Sequence, residues 1–314
     1  MANSRDSPQD IQSGSVLPLE LQLAIIDHLD ADKPALQACA TVCQAWLRPS
    51  QNLLFRRVYV RASTIDGKLL QFSQQLSSSP EFAAAIHDLH IEGPLPSRNG
   101  DICSVRPADV RPHMSTNLLY SIVTKLPALR FLSFSFVRFV GGSLTPPHPS
   151  TRPSLEALEI TMGGRLDGEE DMVNVLHAIV LFSRIRQLSF SVMAFMSLDP
   201  AVVDENRALR NFHFPGPVLV EELDLLSFRT PWISFLYHAL LHPGTAPSTL
   251  HTVSACVTGG WGYIVGLGRF LRAVGPALQC FKFNPTYTIF YSRKGAYVLE
   301  ERRAISMALT PAGR

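Results

Sequence analysis

The sequence contains few charged residues. Asp, Glu, Lys and Arg account for 17% of the 314 residues, whereas about 25% is usual in soluble chains. The 28 basic residues nearly balance the 26 acidic ones, and the net charge of +2 argues against a generally basic nucleic-acid-binding protein. Because 46% of the residues are hydrophobic, disorder along the whole chain is not expected. So little charge implies a large core, or an apolar surface that a partner covers.

The sequence also lacks a long hydrophobic run. The longest one, residues 172–182, contains Asn174 and His177 and is too short for a transmembrane helix, which needs about 20 apolar residues. Residues 1–14 are polar and contain no secretory signal, so we expect a disordered tail there. Five cysteines are scattered along the chain: Cys39, Cys43, Cys103, Cys256 and Cys280. They do not suggest a disulfide framework, so we expect a protein of the reducing cytosol or nucleus without membrane contact.

Residues 15–62 are predicted to form three short helices. Leu21, Ile25 and Leu29 recur at helical spacing, and the segment 30–34 interrupts this helix before helical spacing resumes. Apolar residues lie on more than one face of these helices. A module of this size buries too little surface to be comfortably stable alone. We therefore expect a partner to cover its second apolar face.

The same segment carries a family resemblance. Residues 17–60 read LPLELQLAIIDHLDADKPALQACATVCQAWLRPSQNLLFRRVYV, with a Leu-Pro opening, an isoleucine pair, a Val-Cys pair followed by Trp, and a closing Leu-Phe-x-x-Val. This resembles an F-box of the fungal, basidiomycete-type F-box-like proteins. The resemblance implies a three-helix module that docks on the Skp-type adaptor of Skp–cullin–F-box ubiquitin ligases, and through it on the cullin.

Ten residues are carried over from this resemblance and are expected to divide between the adaptor face and the core of the module. They are Leu17, Pro18, Leu21, Ile25, Ile26, Leu36, Cys39, Val42, Cys43 and Trp46. Arg48 and Pro49 depart from the pattern, because proline inside the third helix should kink or shorten it. The alternative is an ordinary three-helix cap that binds no partner.

Downstream, the pattern apolar-x-x-apolar-x-apolar recurs eight times. It begins at Ile86, Leu129, Leu155, Ile185, Leu209, Val220, Leu250 and Leu278. Each occurrence suits a short strand, and helical stretches precede most of them, at 68–78, 115–126, 171–182, 231–241 and 263–274. Spacings of 26 residues from Leu129 to Leu155 and 28 from Leu250 to Leu278 lie near the leucine-rich-repeat period of roughly 20–29 residues. Residues 63–290 therefore resemble an irregular leucine-rich-repeat horseshoe solenoid, although the usual asparagine after the strand is missing.

The resemblance implies that the x positions of the strands face the concave surface of the solenoid, where such proteins bind partners. The candidate target-binding residues are His87, His90, Arg130, Phe131, Glu156, Glu159, Arg186, Gln187, Glu221, Asp224 and Lys282. Their mixed charge favours a protein ligand over a phosphate backbone. The alternative, for about half of them, is a merely solvated strand position.

Residues 291–314 are predicted to contain a charged helix that runs through Glu300–Arg303 to Leu309, with no strand after it. A solenoid normally ends in a polar cap. We therefore expect a chain that is truncated relative to its relatives, or a C-terminus that comes from an altered gene model.

No catalytic motif accompanies these features. Cys39 and Cys43 have no second pair with which to form a zinc site, and the segment between His238 and His242 lacks the glutamate of a metalloprotease. We expect no metal, no cofactor and no enzymatic activity. The chain is expected to be the substrate-recognition subunit of a ubiquitin ligase. The alternatives are an F-box and leucine-rich-repeat interaction scaffold outside a ligase, and an α/β enzyme with an unrecognised site.

Overall fold

The computed structural model is an α/β structure with a mostly parallel sheet. It describes residues 17–62, 67–94, 112–141, 151–163, 169–193, 218–228, 240, 249–257, 261–275, 277–284 and 305–308. The chain divides into two compact units, Met1–Arg56 and Arg57–Arg314. Within the described residues, no helix has the length and hydrophobicity needed to cross a membrane.

The described part of the first unit consists of three short helices, as the periodicity indicates: α1 (Leu19–His28), α2 (Lys33–Val42) and α3 (Gln44–Arg56). Asp32 begins α2, because its side chain accepts a hydrogen bond of 3.0 Å from the backbone N–H of Ala35. This bond satisfies a donor that has no partner inside the helix.

The third helix continues through Pro49 to Arg56, so the expectation that proline shortens it is wrong. Proline removes the hydrogen bond to the carbonyl four residues earlier, which belongs to Ala45. Ala45 lies in the first turn and is exposed, so water can take the place of the missing donor.

The second unit contains eleven strands in its described part. They are β1 (Arg57–Arg61), β2 (Asp88–Glu92), β3 (His113–Ser115), β4 (Phe131–Ser135), β5 (Arg138–Val140), β6 (Ser154–Gly163), β7 (Arg184–Met193), β8 (Leu219–Phe228), β9 (Thr252–Val257), β10 (Cys280–Asn284) and β11 (Ile305–Ala308). Five helices alternate with them: α4 (Gly67–Ser78), α5 (Pro80–Ala85), α6 (Thr116–Val123), α7 (Glu169–Ile179) and α8 (Trp261–Val274).

The strands of the main sheet follow one another in chain order. The order is β1-β2-β4-β6-β7-β8-β9-β10-β11, and every neighbouring pair is parallel except β10 and β11, which are antiparallel. Strands β3 and β5 form a separate parallel pair, which the sequence did not predict. The unit is therefore built by adding one strand after another to the same edge.

Two rows of apolar side chains run across this sheet in register. The first row contains Val58, Leu89, Leu132, Leu158, Leu188, Leu223, Val253 and Phe281. The second contains Val60, Ile91, Phe134, Ile160, Phe190, Leu225, Ala255 and Phe283. They form one core cluster with apolar residues of α4, α6, α7 and α8. These helices therefore cover the same face of the sheet.

A repeated irregularity explains the apolar-x-x-apolar-x-apolar spacing. The carbonyl of His87 accepts hydrogen bonds from two consecutive N–H groups of the next strand, those of Arg130 at 2.8 Å and Phe131 at 3.0 Å. The same arrangement joins Arg130 to β6 and His251 to β10. Two adjacent residues thus lie outside the core, as in a β-bulge, before strict alternation begins.

Seven of the eight predicted strands are confirmed, as are the helices predicted at 68–78, 115–126, 171–182 and 263–274. The strand predicted at Leu209 and the tail at 1–14 lie outside the described residues, as does the helix predicted at 231–241 apart from Leu240, which is helical. The predicted boundary at residue 62 differs from the division at Arg56, because β1 pairs with β2 and belongs to the sheet.

The helix predicted to reach Leu309 is wrong at its end, because Ile305–Ala308 is a strand paired with β10. Ile305 and Met307 lie opposite Phe283 and Phe281. The alternation of this short segment therefore matches the pleat of its neighbour. The acidic and basic residues before it suggested a helix, but pairing with the free edge of β10 prevails.

Two of the leucines of β8, Leu223 and Leu226, test which face is buried. Leu223 is 0% exposed and Leu226 is 46% exposed. We expect Leu223→Ala to lower the free energy of unfolding by about 2–5 kcal/mol, because it leaves a cavity in the core. Leu226→Ala should change it by less than about 0.5 kcal/mol. Urea unfolding followed by circular dichroism measures both, and equal losses would contradict the assignment of faces.

Candidate functional site

The helical unit exposes large apolar side chains on α1 and at the end of α2. Leu21 is 52% exposed and Val42 is 64% exposed. We call six exposed residues, which lie just before α1, on α1 and at the end of α2, the docking surface: Leu17, Leu19, Leu21, Leu23, Ile25 and Val42. Phe55 of α3 is also exposed and is not included. At 100° per residue, Leu21 and Ile25 lie on one flank of α1 and Leu19 and Leu23 on the other. The helix is therefore apolar around most of its circumference, which is typical of a helix that is covered on several sides.

The buried apolar side chains among residues 17–56 are Ile26, Leu36 and Cys39. These three belong to the set that was expected to divide between the adaptor face and the core of the module, and their burial assigns them to the core. Six others of the predicted set are exposed: Leu17, Pro18, Leu21, Ile25, Val42 and Cys43. Trp46 is half-buried. The sequence analysis did not include Leu19 or Leu23 in the set.

A glutamine links α1 to α3. The indole Nε1 of Trp46 donates a hydrogen bond of 2.6 Å to Oε1 of Gln22. The side-chain Nε2 of Gln22 donates in turn to the carbonyl of Leu17 at 2.5 Å. Gln22 lies one turn before the buried Ile26, so a polar residue on the buried side of α1 was the signal that the sequence offered.

The second candidate site is the face of the sheet opposite the apolar rows, which we call the polar face. One register row of this face contains Tyr59, His90, Ser133, Glu159, Ser189, Asp224, Ser254 and Lys282. The next row begins with Arg57, Asp88, Phe131, Ala157, Gln187 and Glu222. The bulged positions before them hold His87, Arg130, Glu156, Arg186 and Glu221. The structure therefore places all eleven predicted target-binding residues outside the apolar rows.

Arginines of the polar face pair with carboxylates on neighbouring strands. The pairs are Arg57 with Asp88, Arg130 with Glu156, Arg184 with Glu221 and Arg186 with Glu222. All four arginine side chains are more than half exposed, so each pair contributes at most about 1 kcal/mol to stability. Their main effect is to neutralise charge near the start of the strands.

Two carboxylates in the register row that begins with Tyr59 form hydrogen bonds with uncharged side chains. Asp224 accepts hydrogen bonds from the amide of Gln187 at 2.8 Å and the hydroxyl of Ser189 at 3.5 Å. Glu159 is bonded to the hydroxyl of Ser133. Burial raises the pKa of Glu159, and the charge of Asp224 raises it further, while the Ser133 hydrogen bond opposes them. In the described part of the chain, neither carboxylate forms an ion pair.

Three aromatic rings, which we call the ring row, lie close together on β1, β2 and β4 of the same face. Tyr59 stacks on His90 with ring centroids 4.5 Å apart and planes 10° apart, and Phe131 lies 5.0 Å from His90. Burial lowers the pKa of His90, and nearby Asp88 only partly opposes this. His90 is therefore a neutral ring at pH 7. Tyr59 was not in the predicted set, because the segment Val58–Val60 was assigned to the helical module.

The described residues contain no group of three or more His, Cys, Asp or Glu side chains that is suited to a metal ion. His238 and His242 lie outside the described residues. The chemistry that the two surfaces offer is binding: apolar contact on the docking surface, and ion pairing with ring contacts on the polar face.

The raised pKa of Glu159 gives a pH-dependent prediction. Above its folded-state pKa the carboxylate is ionised in both states, and the folded state bears the cost of burying it. As the pH falls, the folded state takes up the proton first, so the protein gains stability. We expect Glu159→Gln to be more stable than the wild type at pH 7, with a smaller difference at pH 4. Urea unfolding at both pH values tests this, and a variant that gains more at pH 4 would contradict it.

Comparison with known proteins finds no family model, no curated protein and no solved structure that matches this chain. The two candidate surfaces are therefore interpreted from the chain's own geometry.

Proposed function

We propose that this protein is a substrate-recognition subunit of a Skp–cullin–F-box ubiquitin ligase. In this proposal the helical unit is an F-box that binds a Skp-type adaptor, and the sheet unit binds a target protein. The observation that carries it is the set of exposed apolar side chains on α1. Soluble proteins rarely expose large apolar patches that have no partner.

Burial energetics support docking through α1. The unit's core within residues 17–56 contains Ile26, Leu36 and Cys39, which is little for a module of this size. Full burial of one leucine or isoleucine contributes about 1.5–3 kcal/mol. Burial of several residues of the docking surface can therefore offset the cost of association, which is about 4–15 kcal/mol.

The connectivity of the second unit supports the proposal of a leucine-rich-repeat solenoid. Its strands follow chain order, and α4, α6, α7 and α8 share a core cluster with one face of the sheet. Stacked repeats in which each unit contacts its neighbours produce this order. The opposite face is then left to bind partners.

The proposed mechanism is positioning. The adaptor connects the docking surface to the cullin and to a conjugated ubiquitin that other subunits carry. The polar face holds the target near this conjugated ubiquitin. This raises the effective concentration of target lysines near the thioester through which the ubiquitin is carried. This role requires no catalytic group on this chain.

The docking surface is tested by charged substitutions. We expect Leu21→Asp combined with Ile25→Asp to weaken adaptor binding at least about 100-fold, because two apolar contacts are lost. Leu70→Asp is the matched control, since Leu70 is 49% exposed on α4 of the other unit. Calorimetry with purified adaptor measures the affinity. Equal binding by the double variant and the control would overturn the proposed docking surface.

The ligase assignment is tested by co-purification of the full chain with adaptor and cullin. We expect both to be recovered with the wild type, and neither with the Leu21→Asp, Ile25→Asp variant. Recovery of the adaptor without cullin would contradict the ligase and leave an interaction scaffold. Failure of the adaptor to bind would contradict the F-box itself.

A further inference from the structure

We propose that the polar face binds an extended, cationic segment of a partner protein, which lies across the strands from the ring row of Tyr59, His90 and Phe131 toward Asp224. The inference relies on the proposed function only for the idea that this partner is the ligase target. The binding surface itself is argued from the side chains of the sheet.

Acidic and basic side chains occupy different positions on the polar face. We call the three register rows that contain Asp88, His90 and Glu92 the central rows. From β2 to β9, their described residues include carboxylates and no Lys or Arg. The carboxylates are Asp88, Glu92, Glu159, Glu222 and Asp224. Asp88 and Glu222 pair with Arg57 and Arg186, so the negative charge offered to a partner comes mainly from Glu159 and Asp224. The arginines of the same strands lie at their starts, where they pair with acidic neighbours. The central rows thus offer negative charge to a partner, and their complement is positive.

The ring row supplies a second kind of contact. Tyr59 is 51% exposed. The ring centroid of His90 lies 4.5 Å from that of Tyr59 and 5.0 Å from that of Phe131. A Lys or Arg side chain over such rings gains a cation–π interaction. A histidine that is neutral at pH 7 does not repel that cation.

Strand geometry sets the spacing of the bound segment. His90, Glu159 and Asp224 lie in one register row, each two strands from the next. Neighbouring strands are about 4.8 Å apart, so each step is about 10 Å. An extended chain advances about 3.3 Å per residue, so each step takes about three residues. The matching segment carries basic residues at positions i, i+3 and i+6.

The test uses a synthetic peptide in which three lysines are separated by pairs of glycines, labelled for fluorescence anisotropy with the full chain. We expect binding that weakens as salt is added, and weaker binding of a peptide with the same lysines placed adjacently. An acidic peptide of the same spacing should not bind. Equal affinity for the spaced and adjacent peptides, or binding of the acidic one, would overturn the proposal.

Substitutions in this chain test where on the polar face the peptide binds. Glu159→Gln with Asp224→Asn should weaken binding at least about tenfold, and Tyr59→Ala several-fold. Glu81→Gln, on the exposed start of α5, removes the same charge away from the polar face and should leave affinity unchanged. An equal effect of Glu81→Gln and Glu159→Gln would overturn the site. Because this assay needs no adaptor, its failure is distinct from a failure of adaptor binding.

Discussion

Burial of two apolar rows in register determines the rest of the sheet unit. Each strand contributes residues such as Leu188 and Phe190 that are buried only because neighbouring strands and the helices cover them. A slip of one residue in any strand would move its apolar side chains to the opposite face. The repeated bulge marks the start of β4, β6 and β10, and register and burial reinforce one another from β1 to β10.

The same constraint creates the polar face. Once Leu158 and Ile160 are buried, Glu159 must lie on the other side of the sheet, and Ser189 and Asp224 follow it in the same row. The order of side chains in this row is therefore a consequence of core packing. Because a packed sheet holds its Cα positions rigidly, the rings and carboxylates are preorganised, and a ligand does not have to order them.

The sequence predicts local periodicity well, and pairings between distant segments poorly. The strand triplets and the helices α4, α6, α7 and α8 follow from spacing alone. Which flank of α1 is buried does not follow from spacing, because packing against the other helices decides it. For that reason the sequence left open which of the ten carried-over residues are core residues. The β3–β5 pair and strand β11 join distant residues, so no local pattern marks them. Gln22 was marked as a polar residue on the buried side of α1, but its partner Trp46 was not.

The low charge of the chain now has two structural causes, which differ between the units. In the sheet unit it follows from the continuous core that the described residues form under the apolar rows. In the helical unit it follows from apolar residues such as Leu21 and Val42, which are more than half exposed. The charges that remain on the polar face are largely paired with one another at the strand starts, so Glu159 and Asp224 retain most of the field that a partner would encounter.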